Sequence, residues 1–248
     1  MRRALVGLAA VAAACAAAGV SGAATRFPTF PASCSRSDFR SGGTLVRAEL
    51  CRSGRPDAPT AIVLYGCGGF SGFDHRLVTG LPRLGIDTLD VDYFARTPPP
   101  NRFGFCDSHG EFGNAFPSWL GTVADAAAHL RGLPGGKSRR VEIVGWSLGG
   151  GVAVASALAG VHFAALAGFS TGSFGVDAAN ARKLPPTILL SGGSTDAIPL
   201  SETLPLYDAL RAAHRPASLF VYPHGSHQWP GRQGMLGIER AAAFLRRY

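Results

Sequence analysis

Residues Val141 to Gly151 read Val-Glu-Ile-Val-Gly-Trp-Ser-Leu-Gly-Gly-Gly, and no other segment restricts the fold as strongly. A hydrophobic run ends in Gly-x-Ser-x-Gly and passes without a spacer into an apolar helical pattern, Leu148–Ala159. A strand can turn into a helix over so few residues only where small neighbours make room for the residue at the apex. The helix is apolar nearly all round, so it has to be buried rather than laid on a surface. Further strand-like runs fall at Thr44–Leu50, Thr60–Tyr65, Thr88–Val91, Val141–Val144, Phe163–Ala167, Thr187–Leu190 and Ser218–Tyr222. The later ones are mostly continuous apolar stretches, as strands covered on both faces must be. Helical patterns at Phe116–Leu133, Leu204–Ala213 and Ile238–Arg247 lie between or after them. This alternation predicts an α/β fold: a mostly parallel central sheet with helices on both faces, in one domain.

The two ends of the chain differ in composition. Arg2 and Arg3 precede an uncharged run from Ala4 to Val20, and small residues follow through Ala24. A basic start, an apolar middle and a small-residue exit describe a secretory signal peptide. Residues 1–24 are therefore expected to be a leader, 25–43 an N-terminal extension and 44–248 the folded domain, with export to the periplasm or the medium. A retained membrane anchor is the other reading of the leader, because the run approaches spanning length. Loss of Arg2 and Arg3 takes the formal charge from +8 to +6. No basic run or alternation of basic and aromatic residues accompanies that charge, which argues against a nucleic-acid partner.

Cys34, Cys51, Cys67 and Cys106 follow the leader, without any CxxC pair or metal-ligand spacing. An even count in an oxidising compartment predicts two disulfides. Of the three possible connectivities, Cys34–Cys51 with Cys67–Cys106 ties each strand end to a nearby loop. Cys106 falls in the longest irregular stretch, residues 97–115, where a cross-link would pin the loop.

Gly-x-Ser-x-Gly alone is weak evidence here. With 33 glycines in 248 residues, the pattern arises by chance in roughly one chain in four of this composition. A second match, Gly168-Phe169-Ser170-Thr171-Gly172, also follows an apolar strand. No apolar helix comes after it, so Ser170 is expected to be a loop residue and Ser147 the nucleophile. A serine hydroxyl needs a base to take its proton. His227 lies just past the last strand pattern, at the sheet edge where Ser147 is expected, with His224 as its competitor. Asp196 follows the strand Thr187–Leu190 and is the expected acid, with Asp177 as fallback. The oxyanion donors are expected to be the amide of Leu148, next after the nucleophile, and that of Cys67 in the loop Tyr65-Gly66-Cys67-Gly68-Gly69-Phe70, with Gly68 beside it.

The order Ser147, Asp196, His227 is the nucleophile–acid–base order of α/β-hydrolases. From about Gly43 to Tyr248 the chain resembles the dienelactone hydrolase-like family of that superfamily. The resemblance is carried by Leu64-Tyr65-Gly66-Cys67-Gly68-Gly69, Asp90-Val91-Asp92-Tyr93-Phe94-Ala95-Arg96, Gly145-Trp146-Ser147-Leu148-Gly149-Gly150-Gly151, and Tyr222-Pro223 leading to His227. It implies the same triad and oxyanion positions, a compact single domain without a large lid, and no metal or cofactor. The dienelactone-cleaving members have a cysteine where this chain has Ser147 and an acidic residue where it has Gly66. Tyr65 also stands where many relatives have histidine. These departures point toward a general carboxylesterase acting on small-molecule esters, lactones included, with no membrane association once the leader is gone. A non-catalytic binding protein on the same scaffold, and an acyltransferase or peptidase using the same three residues, are the other readings. Nothing in the sequence marks an oligomeric state.

Overall fold

The computed structural model describes residues 33–97, 112–136, 139–193 and 196–248. The expected leader and Cys106 lie outside the described residues. Ten strands are formed: β1 Cys34–Arg36, β2 Phe39–Ser41, β3 Thr44–Val46, β4 Ala48–Cys51, β5 Thr60–Leu64, β6 Asp87–Val91, β7 Val141–Trp146, β8 Leu166–Phe169, β9 Thr187–Ser191 and β10 Ala217–Val221. Eight of them make one sheet in the order β1-β4-β6-β5-β7-β8-β9-β10, while β2 and β3 form a separate hairpin. From β6 to β10 the neighbours are parallel; only the β1–β4–β6 edge is antiparallel. The chain is a single-domain α/β-hydrolase fold.

Every residue of β5 to β9 is buried, which is why β5, β8 and β9 read as mostly apolar runs; Asp87 and Asp90 of β6 and Glu142 of β7 carry carboxyl groups buried among them. Helices α1 Gly72–Arg83, α2 Phe112–Gly132, α3 Leu148–Leu158, α4 Ala178–Ala181, α5 Leu200–Ala212 and α6 Gly231–Leu245 complete the described elements. On one face of the sheet, Trp119, Val123 and Leu130 of α2 pack with Val152 of α3 and Leu206 and Leu210 of α5. On the other face, Phe73, Leu77 and Leu81 of α1 pack with Ile238, Ala242 and Leu245 of α6. Among the described residues no helix is long and apolar enough to cross a membrane.

Several elements differ from expectation: α5 begins at Leu200 rather than Leu204, and α6 at Gly231 rather than Ile238. The run Thr44–Leu50 is divided at Arg47, whose carbonyl accepts from the Asp92 amide (3.0 Å); β3 before it pairs with β2, and β4 after it pairs with β1 and β6. β8 begins at Leu166 rather than Phe163, because its ladder to β9 starts at the Leu166–Thr187 pair. Helix α1 was not among the expected helices: Phe73, Leu77, Val78 and Leu81 recur at helical spacing, but Gly72, Gly80 and Pro82 lower the helix propensity of the span. Its local signal is a capping box: the Ser71 hydroxyl accepts from the Phe73 and Asp74 amides, and the Asp74 carboxylate accepts from the Ser71 amide, satisfying amides that a helix start leaves open.

The expected Cys34–Cys51 disulfide is present, joining directly opposed residues of β1 and β4. It brings residues of the expected N-terminal extension into the sheet. Cys67 is also disulfide-bonded, and its expected partner, Cys106, is outside the described residues.

Candidate active site

Strands β7, β8, β9 and β10 are consecutive and parallel, so the segments leaving their C-terminal ends share one edge. Ser147 follows β7, Ser170 follows β8, Asp196 lies beyond β9 and His227 beyond β10. In open α/β sheets this is the edge where ligands bind.

Ser147 is the residue between β7 and α3, with φ +55° and ψ −122°. A non-glycine residue at positive φ costs on the order of 1–3 kcal/mol, so the surrounding packing must impose it. The start of α3 is pressed against the end of β5: a Cβ on Gly149 would stand 2.3 Å from the Leu64 carbonyl oxygen and 2.5 Å from that of Tyr65. Only glycine permits this approach, and it brings Leu148 beside the β5 exit loop that contains Cys67. Leu148 is the first residue of α3, so its amide is one of those a helix leaves without an intrahelical acceptor.

His227 is 7% exposed and Asp196 6%. His227 Nε2 lies 3.1 Å from Ser147 Oγ, and Nδ1 lies 2.6 Å from Asp196 Oδ1. A carboxylate only accepts, so Nδ1 carries the hydrogen and Nε2 of the neutral ring presents its lone pair to the serine. The Ile198 amide donates to Oδ1 of Asp196 (3.0 Å) and the Gly192 amide to Oδ2 (2.8 Å). Gly192 has to be glycine here, since its Cβ would stand 2.4 Å from Oδ2. The structure thus brings together Ser147, Asp196 and His227. It separates the two competitors: His224 is exposed, and Asp177 caps α4 by accepting from the Ala179 and Asn180 amides.

Several residues at the site were not anticipated. The Trp146 indole N–H donates to the His227 carbonyl (2.9 Å), and its ring lies 5.3 Å from the imidazole centroid. The residue before Ser147 therefore anchors the loop that carries His227. Ser170 also departs from its expected role as plain loop. It is buried, has φ +46° and hydrogen-bonds Asp196 Oδ2, although no helix follows it. The repeated Gly-x-Ser-x-Gly was the signal available in the sequence. Among the described residues no group of three or more His, Cys, Asp or Glu is placed to hold a metal ion.

A buried serine at a strand–helix turn is hydrogen-bonded through histidine to a carboxylate on the next loops, on an α/β-hydrolase fold. The dienelactone hydrolase family matches residues 114–245, just over half of the chain. The chain belongs to that family. In structure it is similar to a Klebsiella pneumoniae protein described as a dienelactone hydrolase, with 22% identity and a TM-score of 0.70 over 87% of this chain and 98% of that one. A dienelactone hydrolase from Anabaena variabilis matches at 17% identity and TM-score 0.69, over 87% and 99% of the two chains. An esterase from Pyrococcus furiosus matches at 15% and 0.71, over 92% and 99%. At these identities the likeness establishes the fold. No curated protein matches the chain in sequence.

Proposed function

We propose that this protein is an exported serine hydrolase that cleaves carboxylic esters, lactones among them, through a covalent acyl-enzyme. The observation that carries the reading is the continuous chain of hydrogen bonds from Ser147 Oγ through His227 to Asp196. As Ser147 Oγ bonds to the ester carbonyl carbon, its proton passes to His227 Nε2. Asp196 holds the imidazolium through Nδ1. The oxyanion is held by the Leu148 and Cys67 amides, the first at the positive end of α3. Collapse of the intermediate breaks the C–O bond to the alcohol, which leaves with the proton from Nε2. Water then attacks the acyl-enzyme by the same route and frees Ser147. Serine in place of cysteine at residue 147, and Gly66 in place of an acid beside the oxyanion loop, favour general esters over dienelactone. Export is supported by the leader pattern in residues 1–24 and by the Cys34–Cys51 disulfide, a bond typical of oxidising compartments.

The test is labelling of the purified protein with a fluorophosphonate, together with turnover of p-nitrophenyl esters of graded chain length. Wild type is expected to label at Ser147 and to turn over, and Ser147→Ala to do neither. Unchanged turnover in Ser147→Ala would overturn the reading.

A further inference from the structure

Two Gly-x-Ser-x-Gly motifs end adjacent strands, and the structure sends both to the same acid–base pair. Ser147 leaves β7 at φ +55° and reaches His227; Ser170 leaves β8 at φ +46° and reaches Asp196. Ser170 is completely buried, as is Trp229, whose Nε1 lies 2.8 Å from Ser170 Oγ. The polarity of this contact is set by chemistry. An indole N–H can only donate, so Ser170 Oγ accepts from Trp229, and its one proton is left for Asp196 Oδ2, which as a carboxylate can only accept.

Asp196 thereby receives four donors: His227 Nδ1 and the Ile198 amide on Oδ1, the Ser170 hydroxyl and the Gly192 amide on Oδ2. Four is the full capacity of a carboxylate. Ser170 is the one side-chain donor among them besides the histidine. Its proton restrains the carboxylate against rotation and draws charge toward Oδ2, away from the oxygen that faces His227. Trp229 fixes the serine rotor from the same segment that bears the base, two residues beyond His227. The β8 exit, the acid loop and the base loop are therefore joined at one hydroxyl.

We propose that Ser170 is a positioning residue, its hydroxyl oriented by Trp229 so as to fix Asp196 and moderate the pull of that carboxylate on His227. This rests on the hydrolase reading above. Loss of the hydroxyl leaves more charge on the oxygen facing His227, which strengthens the hold of that carboxylate on the imidazolium. Asp196 is the one carboxylate bonded to His227 among the described residues.

Two variants separate this role from a structural one, because positive φ strains alanine and suits glycine. Ser170→Ala and Ser170→Gly both lose the hydroxyl, and the glycine variant relieves the backbone. Ester turnover and the rate of fluorophosphonate labelling at Ser147 would be followed from pH 5 to 9 in wild type and both variants, with urea unfolding in parallel. Both variants are expected to lose about 10-fold in kcat with KM little changed, corresponding to ~1.4 kcal/mol. In both, the acid limb of the pH profile should move to higher pH, whatever their order of stability. Trp229→Phe, which keeps Ser170 but frees its rotor, should fall between them and wild type. Activity that follows unfolding stability, or an acid limb left in place in both Ser170 variants while wild type labels normally at Ser147, would overturn the positioning role and leave the hydrolase reading standing. A wild-type protein that does not label at Ser147 would overturn both.

Discussion

Replacing Glu142 with glutamine should remove most of a pH-dependent instability located in the centre of the sheet. Glu142 is on β7, on the same face as Val144 and Trp146 of the core beneath α1 and α6. It is 0% exposed, and neither carboxyl oxygen has a hydrogen-bond partner. Burial pushes its carboxyl from 4.5 up to about 8, with Arg140 pulling the other way. Between those values the folded protein holds a proton that the unfolded chain has released. Its contribution is therefore intact below about pH 4.5 and is lost progressively as pH rises through about 8. A separation of about 3.5 units, at about 1.4 kcal/mol per unit, sets a ceiling near 5 kcal/mol. Glutamine keeps the shape and is neutral at every pH. Urea unfolding of wild type and Glu142→Gln at pH 5 and pH 8.5 would measure the effect. Wild type is expected to lose several kcal/mol more than the variant between the two conditions, a difference of up to roughly 2 M urea for a slope of about 2.5 kcal/mol per molar. Asp74, whose carboxyl burial pushes up to about 7, is present in both proteins and cancels from the comparison. Parallel pH dependence in the two proteins would refute the assignment of a buried, protonated Glu142.

Other outcomes can be checked with single variants. Trp146→Phe keeps the ring but removes the donor to the His227 carbonyl; a hydrogen bond of this kind contributes about 1 kcal/mol, and steady-state kinetics should show a several-fold fall in kcat/KM. Asp196→Asn should lower ester kcat by about four orders of magnitude, the scale of removing the histidine's orienting carboxylate. Asp177→Ala should leave turnover unchanged and cost at most ~1 kcal/mol, the value of a helix cap. The paired Cys34→Ala and Cys51→Ala change opens a cross-link spanning 17 residues, with an expected loss of about 3 kcal/mol in denaturant unfolding.

The strand–turn–helix at Val141–Gly151 and the order Ser147, Asp196, His227 were legible because each is written locally. An apolar run followed by small residues and a buried helix has few other ways to fold. The end of a parallel strand also determines the edge at which the next loop emerges. Helix α1 carries its signal in Phe73, Leu77, Val78 and Leu81 at helical spacing and in the Ser71–Asp74 box, against the low helix propensity of its glycines and Pro82. The split at Arg47 and the start of β8 depend on which neighbour completes each ladder, and residue preference does not encode that.

The sequence alone determined the class of fold and singled out Ser147, Asp196 and His227 as candidates, because periodicity, turn chemistry and chain order are local properties. Only the tertiary structure decided how that pair is held. Ser170 lies 26 residues from Asp196 and 59 from Trp229, and in the sequence it is a second, weaker copy of the Ser147 motif. Four adjacent parallel strands deliver both serines, the acid and the base to one edge, so side chains far apart along the chain come within hydrogen-bonding distance. Hydrogen bonds depend on distance and direction in space, so the duplicated motif acquires its separate meaning there.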